Sequence, residues 1–321
     1  MLTRILSRAI LAVALTLAVC AISAPASAAG WGSIRDRAMT LRERGHYADA
    51  YKTMSAFSSG RSEDMFDKEW ASGWIALQYL RRADLAVTHF TRAVSHIPGI
   101  RKKDHQATAK SKAGYWLGRA LKSQGKEPES KAMFQASMAF GTTFYGQLSA
   151  SELKTKLSKQ QIASIASNYP IKDLYWHDQR ARRELVLAVI REESRFKPTA
   201  ESSKGARGMM QVMDGTAVSV GKSAGVHVDT KLMRTNPDYN IAVGSRYLGD
   251  MLARYNGNAM LAAAAYNAGP LRVDEWLGRF GDPRGGKADP IDWAESIPFK
   301  ETREYVQKVM SSYITYLSLN Q

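Results

Sequence analysis

The chain has 321 residues, a formal net charge of +15 and a single cysteine, Cys20. This length allows two domains with separate cores, and one cysteine excludes an intrachain disulfide, so packing must stabilise the fold. The positive charge favours anionic partners, although charge alone does not distinguish a binding surface from one that only confers solubility.

The first segment has the pattern of a secretory signal peptide. Arg4 and Arg8 precede an uncharged apolar stretch over residues 9–22, and small residues follow at 26–28. This order predicts export, with cleavage after Ala28. The apolar stretch is shorter than the roughly 20 residues that span a bilayer, which argues against a permanent anchor.

Export determines the expected location and partners. We expect the mature chain in the periplasm, where acidic polymers of the envelope are expected partners and nucleic acid is not. Cys20 lies in a context similar to a bacterial lipobox, but Val19 stands where a small residue is usual. The membrane is therefore an expected partner only if Cys20 is lipidated.

Residues 29–168 are predicted to form an α-helical repeat domain. Apolar residues recur at helical spacing, and small residues at Gly45, Ala83 and Gly125 mark turns between helix pairs. Their intervals fit a superhelical repeat of the tetratricopeptide kind, and a plain helical bundle is the alternative. Such arrays leave an extended surface, so other envelope proteins are candidate partners through the repeats.

A second domain is predicted over residues 169–321. The helical pattern breaks at 168–170, because Pro170 disfavours helical backbone at the residue before it. Helices then alternate with glycine-containing connections, and no segment shows the alternation of a long strand. We therefore expect a mainly α fold in both domains, with at most a small β element in the second.

Two adjacent glutamates follow the apolar run 185–190. The run has no polar face, which predicts a buried helix with Glu192 and Glu193 at its carboxyl end. Each glutamate shares a helical row with apolar residues, so spacing does not choose between them. A solvated charge at a helix end is the ordinary interpretation of either.

Three other stretches have residue types that suit a binding pocket. Residues 205–211 contain two glycines that allow a tight turn, then two methionines and an amide. Tyr266 and Asn267 end an alanine-rich helix. Glu301 lies in the first turn of the last predicted helix, where the helix dipole alone accounts for an acidic residue.

These stretches together resemble the soluble lytic transglycosylases, which degrade bacterial peptidoglycan. Glu193-Ser194 is similar to that family's Glu-Ser motif, and 208–211 to its Gly-Leu-Met-Gln motif. Residues 266–269 match its Tyr-Asn-Ala-Gly motif, and 297–303 its closing Ile-Pro and Glu-Thr-Arg motif. The motifs occur in the family's order and imply a lysozyme-like, mostly helical catalytic domain that follows an α-superhelical region.

The resemblance also implies roles for individual residues. Glu193, which directly precedes the serine, would be the catalytic acid. The positions that would line the glycan groove or hold the acid are Ser202, Gln211, Met213, Tyr266, Asn267 and Glu301. Asp214 departs from the family pattern, because proline commonly follows the second methionine.

The reaction that the resemblance implies needs one carboxyl group. The family cleaves the β-1,4 bond between N-acetylmuramic acid and N-acetylglucosamine without water, as a lyase, and leaves a 1,6-anhydro sugar. A single glutamate gives a proton to the glycosidic oxygen and then takes one from the C6 hydroxyl. Such an acid needs a pKa raised from about 4.3 toward about 6 by apolar surroundings.

Two other functions fit the same residues. A hydrolytic muramidase of the goose type also uses a single glutamate, and Asp214, Asp229 or Asp238 would then position a water. A non-enzymatic periplasmic scaffold would use only the helical repeats. No metal site or cofactor is expected, because His177 and His227 show no paired ligand spacing.

Overall fold

The computed structural model describes residues 30–156, 169, 170, 172, 174 and 178–320. The predicted signal peptide, with Cys20, lies outside these residues, and so does His177. The chain divides into two compact units, Met1–Leu157 and Ser158–Gln321, which we call unit 1 and unit 2. The predicted boundary between 168 and 169 involves a residue outside the described ranges and remains a prediction.

The described part of unit 1 is helical. Its helices are α1 (Trp31–Glu43), α2 (Tyr47–Ser55), α3 (Ser62–Gln78), α4 (Ala83–His96), α5 (Lys103–Ser123), α6 (Glu127–Met138) and α7 (Phe144–Glu152). Gly45 and Gly125 have left-handed backbone, with φ of 80° and 71°, at two of the predicted turns. At the other turn Ala83 instead begins α4, and Arg81 takes the left-handed conformation, with φ of 56°.

The same glycine–phenylalanine contact recurs in two successive helix pairs of unit 1. The Phe90 ring of α4 lies against Gly73 of α3, and the Phe134 ring of α6 lies against Gly118 of α5. A Cβ atom on either glycine would lie 2.7 Å from the ring. A recurring contact of this kind agrees with a helix-pair repeat, in which each pair packs by the same rule.

Unit 1 also buries a carboxylate. Glu69 of α3 is 3% exposed; it accepts a hydrogen bond of 2.8 Å from Lys68 and lies 2.6 Å from His89 Nδ1 of α4. The other ring nitrogen of His89 lies 2.9 Å from the Tyr51 hydroxyl of α2. Burial opposes ionisation, but the hydrogen bonds from His89 and Lys68 outweigh it and hold the pKa of Glu69 below its usual value. These contacts join α2, α3 and α4 in one hydrogen-bond network that contains the Glu69 carboxylate.

Unit 2 packs its helices around the apolar run found in the sequence. Its helices are α8 (Arg183–Ser194), α9 (Asp214–Ala224), α10 (Leu232–Thr235), α11 (Pro237–Arg254), α12 (Ala259–Ala268), α13 (Pro270–Phe280), α14 (Pro290–Ser296) and α15 (Lys300–Leu319). Residues 185–190 of α8 are each at most 2% exposed, which confirms the predicted burial. Helix α15 packs against both α8 and α12. These three helices carry Glu193, Tyr266 and Glu301.

The small β element expected in the second domain lies between α8 and α9. Arg207 forms isolated antiparallel bridges with Glu201 on one side and Val212 on the other. The rest of the described chain is helix and loop, so the expected mainly α fold is confirmed. None of the described helices combines the length and the hydropathy that a bilayer span requires.

We expect the Glu69→Gln variant to destabilise unit 1 by about 3 kcal/mol at pH 7, because it leaves Lys68 buried without its counter-charge. Folding lowers the pKa of Glu69, so its stabilisation is complete above the unfolded-state pKa of about 4.3 and disappears as the pH falls through the lower folded-state pKa. Amide hydrogen exchange of α3 and α4 measures the loss. The exposed Asp36→Asn variant is the control, and equal exchange in the two variants would contradict this account.

Candidate active site

Glu193 lies in the last turn of α8, directly after the buried run. The helix ends at Ser194, whose hydroxyl donates to the Ile190 carbonyl at 3.2 Å. Arg195 and Phe196 both have left-handed backbone, with φ of 51° and 62°, which is uncommon for residues other than glycine. The chain therefore turns away at once, and Glu193 lies in the last helical turn, directly after the buried run.

The structure separates the two adjacent glutamates. Glu192 accepts a hydrogen bond of 2.9 Å from the Ser312 hydroxyl of α15, and its carboxylate lies 3.6 Å from Arg191. Glu193 has no ion pair among the described residues. The groups that act on its charge are Tyr305, Glu192 and Glu301. Glu192 is thus tied to its surroundings, whereas Glu193 is the carboxyl group without a cation.

This environment changes the acidity of Glu193. The pKa of Glu193 is raised to about 7: burial is the largest cause, the Tyr305 hydroxyl opposes it, and the charges of Glu192 and Glu301 add to the increase. Desolvation disfavours the ionised form of a carboxyl group, and a like charge nearby adds to the effect. Glu193 therefore retains its proton close to neutral pH, as an acid in a proton-transfer reaction must.

Two tyrosines stand beside this carboxyl group. Tyr266 of α12 donates from its hydroxyl to the Met210 carbonyl at 2.8 Å. Burial and the charge of Glu193 raise the pKa of Tyr266 and of Tyr305 well above the usual value, so both hydroxyls keep their protons. Tyr305 is a site residue that the sequence motifs do not indicate. Its position four residues after Glu301 places it on the same face of α15, a spacing that would have identified it.

The loop between α8 and α9 uses its polar side chains to fix its own shape. Gln211 has left-handed backbone and donates from Nε2 to the carbonyls of Ala200 and Gly208, both at 2.9 Å. The Ser202 hydroxyl accepts from the Ala206 N–H at 3.0 Å. Met213 closes the loop and is 42% exposed. Of these residues, Met213 presents the larger free surface for a ligand.

A buried asparagine holds the same loop from α11. Asn240 is fully buried; its Oδ1 accepts from the Met210 N–H at 2.9 Å, and its Nδ2 donates to the carbonyls of Arg207 and Met233 at 2.9 and 3.1 Å. Gly208 passes over this amide with φ of 76°, and a Cβ there would lie 2.3 Å from Nδ2. Position 208 therefore requires glycine, because a side chain would be strained at this positive φ and would collide with the Asn240 amide. No pattern in the sequence indicated Asn240.

The last two motifs are joined by one hydrogen bond. Thr302 of α15 donates from its hydroxyl to Asn267 Oδ1 of α12 at 2.7 Å. Glu301, one residue earlier, is exposed in the first turn of α15. Asn267 thus connects the helix that carries Tyr266 to the helix that carries Glu301, and its assignment as a substrate ligand remains a prediction.

Two of the three aspartates considered as water-positioning groups are engaged by other residues. Asp214 pairs with Arg207 at 2.7 Å and lies 3.6 Å from Arg234. Asp229 accepts from the Lys231 N–H at 2.7 Å before α10, and Asp238 is exposed in the first turn of α11. The acidic residue that replaces the family's proline thus closes the loop through Arg207.

The site combines one weak acid, the carboxyl group of Glu193, with the hydroxyl groups of Tyr266 and Tyr305. No group of three or more histidine, cysteine, aspartate or glutamate side chains with metal-binding geometry occurs among the residues that the structure describes. A buried carboxyl with a raised pKa beside hydroxyl donors is suited to acid–base chemistry. The fold and the site together define a helical domain of the lysozyme type.

Comparison with known proteins identifies this domain. Residues 176–287 match the family model of the Transglycosylase SLT domain. A soluble lytic murein transglycosylase of Salmonella typhimurium is 28% identical over 282 residues, which is 84% of this chain and 41% of that protein. Its Escherichia coli K12 counterpart is 36% identical over 138 residues, or 43% of this chain and 21% of that protein.

A solved structure shows the same fold. The X-ray structure of the lytic transglycosylase Slt from Pseudomonas aeruginosa has a TM-score of 0.52 at 23% identity, over 88% of this chain and 62% of that one. The lysozyme-like, mainly α fold implied by the motifs is thereby confirmed. Residues 176–287 thus carry a Transglycosylase SLT domain, the domain of the family that the motifs resemble. It spans less than two thirds of the length of each of these relatives.

We expect the Asn240→Ala variant to destabilise unit 2 by at least about 2 kcal/mol, because three buried backbone groups lose their partner. The loop that bears Gln211 and Met213 should exchange its amides faster than in the wild type, before global unfolding. Thermal unfolding and hydrogen exchange test this expectation. Asn320→Ala, at an exposed position, serves as control; unchanged exchange in the loop would show that Asn240 does not hold it.

Proposed function

We propose that the chain is a peptidoglycan lytic transglycosylase, and that Glu193 is its catalytic residue. The observation that carries this proposal is the state of Glu193, a carboxyl group that has no counter-ion among the described residues and whose pKa is raised to about 7, chiefly by burial. The relatives named soluble lytic murein transglycosylases support the substrate class. The glycan strands of peptidoglycan are the proposed substrate.

The proposed reaction uses one carboxyl group twice. Protonated Glu193 gives its proton to the glycosidic oxygen between N-acetylmuramic acid and N-acetylglucosamine, and the 2-acetamido group of the muramic acid stabilises the positive charge at C1. The Glu193 carboxylate then takes the proton of the C6 hydroxyl as that oxygen bonds to C1. The bond to the leaving sugar breaks, a 1,6-anhydro ring forms, and no water is consumed.

The neighbours of Glu193 fit this sequence of steps. A pKa of about 7 keeps a large share of the residue protonated near neutral pH and still allows the carboxylate to act as a base. The Tyr305 hydroxyl, buried beside Glu193, stabilises the carboxylate that forms after the first proton transfer. Ser202, Gln211, Met213, Tyr266, Asn267 and Glu301 are the proposed groove residues.

The goose-type hydrolytic alternative needs a group that positions a water. Asp214 is engaged by Arg207, Asp229 accepts the backbone N–H of Lys231, and Asp238 is exposed in the first turn of α11. This favours the anhydro product. A purely structural role for the chain is the other alternative, and it provides no reason for a partly buried carboxyl group that has no cation among the described residues.

Unit 1 and the location of the protein are part of the same proposal. Peptidoglycan lies outside the cytoplasmic membrane, so the predicted signal peptide and a periplasmic location agree with the substrate. The helix pairs of unit 1 provide the extended surface from which envelope proteins or the glycan itself would be positioned. The polymer is anionic, as the net charge of +15 favours.

Digestion of purified sacculi tests the reaction. The wild-type protein should release muropeptides that end in 1,6-anhydro sugars, whereas hydrolysis would give products heavier by one water. We expect Glu193→Gln to lower the rate by about 10²-fold or more, because the amide cannot donate the proton. Glu275→Gln, at an exposed position on α13, is the control. Water-added products, or normal rates with Glu193→Gln, would refute the proposal.

The Tyr305→Phe variant tests the proton affinity of Glu193. The Tyr305 hydroxyl lowers the pKa of Glu193, so its removal should raise that pKa. The reaction begins with protonated Glu193, and the activity should therefore fall at a higher pH in the variant than in the wild type, with a lower maximal rate. The pH profile of kcat/KM on soluble glycan fragments measures the shift. A shift to lower pH would contradict the assigned contact.

A further inference from the structure

Glu192 is held beside Glu193 by contacts that involve no substrate. The Ser312 hydroxyl of α15 donates to its Oε1 at 2.9 Å. The Glu192 side chain is only 19% exposed, so the solvent screens its charge weakly. The carboxylate is therefore fixed in place one residue before the proposed catalytic acid.

Among the described residues, Arg191 is the cation that pairs with Glu192. Arg191 Nε lies 3.6 Å from Glu192 Oε1, which is longer than a hydrogen bond. The Arg191 guanidinium lies over the ring of Tyr169, with 3.9 Å between its carbon atom and the ring centroid. Arg191 thus divides its interactions between a carboxylate and an aromatic face.

We propose that Glu192 sets the upper pH limit of the reaction, by keeping a negative charge beside Glu193 without touching the substrate. This inference rests on the proposed role of Glu193. Like charges at short range cannot both form cheaply, and of the two carboxyl groups Glu192 is the one that accepts the Ser312 hydrogen bond. The proton of the pair is therefore retained by Glu193.

Several other groups face Glu193 in the described part of the chain. Glu301 and Tyr305 approach from α15, and Tyr266 approaches from α12. Of the two carboxylates that raise the pKa of Glu193, Glu192 has the larger effect and Glu301 the smaller. Glu192 also raises the pKa of Tyr305, which shows that its field reaches across the site.

The pH profile of kcat/KM on soluble glycan fragments tests the proposal. Glu192→Gln keeps the shape and the acceptor for Ser312 but removes the charge. We expect its alkaline limb to lie about half a unit to one unit lower than that of the wild type. Tyr305→Phe should move the same limb in the opposite direction. Glu304→Gln, which removes a more exposed charge from α15, is the matched control and should leave the limb in place.

Ser312 provides a second test. Ser312→Ala should shift the alkaline limb of the pH profile to lower pH, by less than Glu192→Gln does, because the Glu192 charge is then less firmly held near Glu193. Ser312→Thr retains a hydroxyl and should restore the wild-type profile. A merely structural role of Ser312 would change the rate at all pH values and leave the limb where it is.

A stability measurement gives a readout without activity. Folding raises the pKa of Glu193, so the ionised form is disfavoured and the wild type loses stability as the pH rises from about 4.3 to about 7, relative to Glu193→Gln. The pH at which this difference levels off reports the folded-state pKa of Glu193. In the Glu192→Gln background it should level off about half a unit to one unit lower.

The two readouts separate this inference from the proposed function. If Glu193→Gln retained activity, the proposed function would be wrong. The stability difference would still measure the effect of Glu192 on the pKa of Glu193. If Glu192→Gln left both the pH profile and the stability difference unchanged, like Glu304→Gln, Glu192 would have no influence on Glu193. That result would overturn the inference even with the reaction established.

Discussion

The constraint on which unit 2 depends is the apolar packing at the carboxyl end of α8. Six consecutive residues, 185–190, are almost completely buried, and Glu193 follows them within one helical turn. A carboxyl group in such a place must either find a cation or keep its proton. Among the described residues Glu193 has no cation. The raised pKa is therefore a consequence of how α8, α12 and α15 pack.

The surrounding polar groups keep that arrangement rigid. Asn240 fixes the backbone of the loop after α8, Gln211 closes the loop on itself, and Tyr266 joins the loop to α12. Thr302 joins α12 to α15 through Asn267. Each motif that the sequence shares with the family thus contributes at least one internal hydrogen bond. Much of what reads as a binding motif in the sequence is a set of supports for one carboxyl group.

The motifs and the apolar periodicity predicted the mainly α fold and the burial of α8, because both depend on local pattern. The choice of Glu193 over Glu192 needed the resemblance, since the two residues share equivalent helical rows. Asn240 could not be predicted, because its three partners lie 7 to 33 residues away in the chain. Long-range contacts of a single polar side chain leave no periodic signal. The turn at Arg81 was missed for a related reason: the residue has none of the usual turn chemistry.

Glu69 and Glu193 show how partners decide the state of the same side chain. Glu69 in unit 1 lies between Lys68 and His89, and these partners hold its pKa below the usual value in spite of burial. Glu193 in unit 2 is flanked by carboxylates and phenols, and burial raises its pKa to about 7. The first arrangement favours the ionised form and stabilises the fold at neutral pH. The second destabilises the fold at neutral pH, and a cost of this kind persists in proteins where the chemistry of the site requires it.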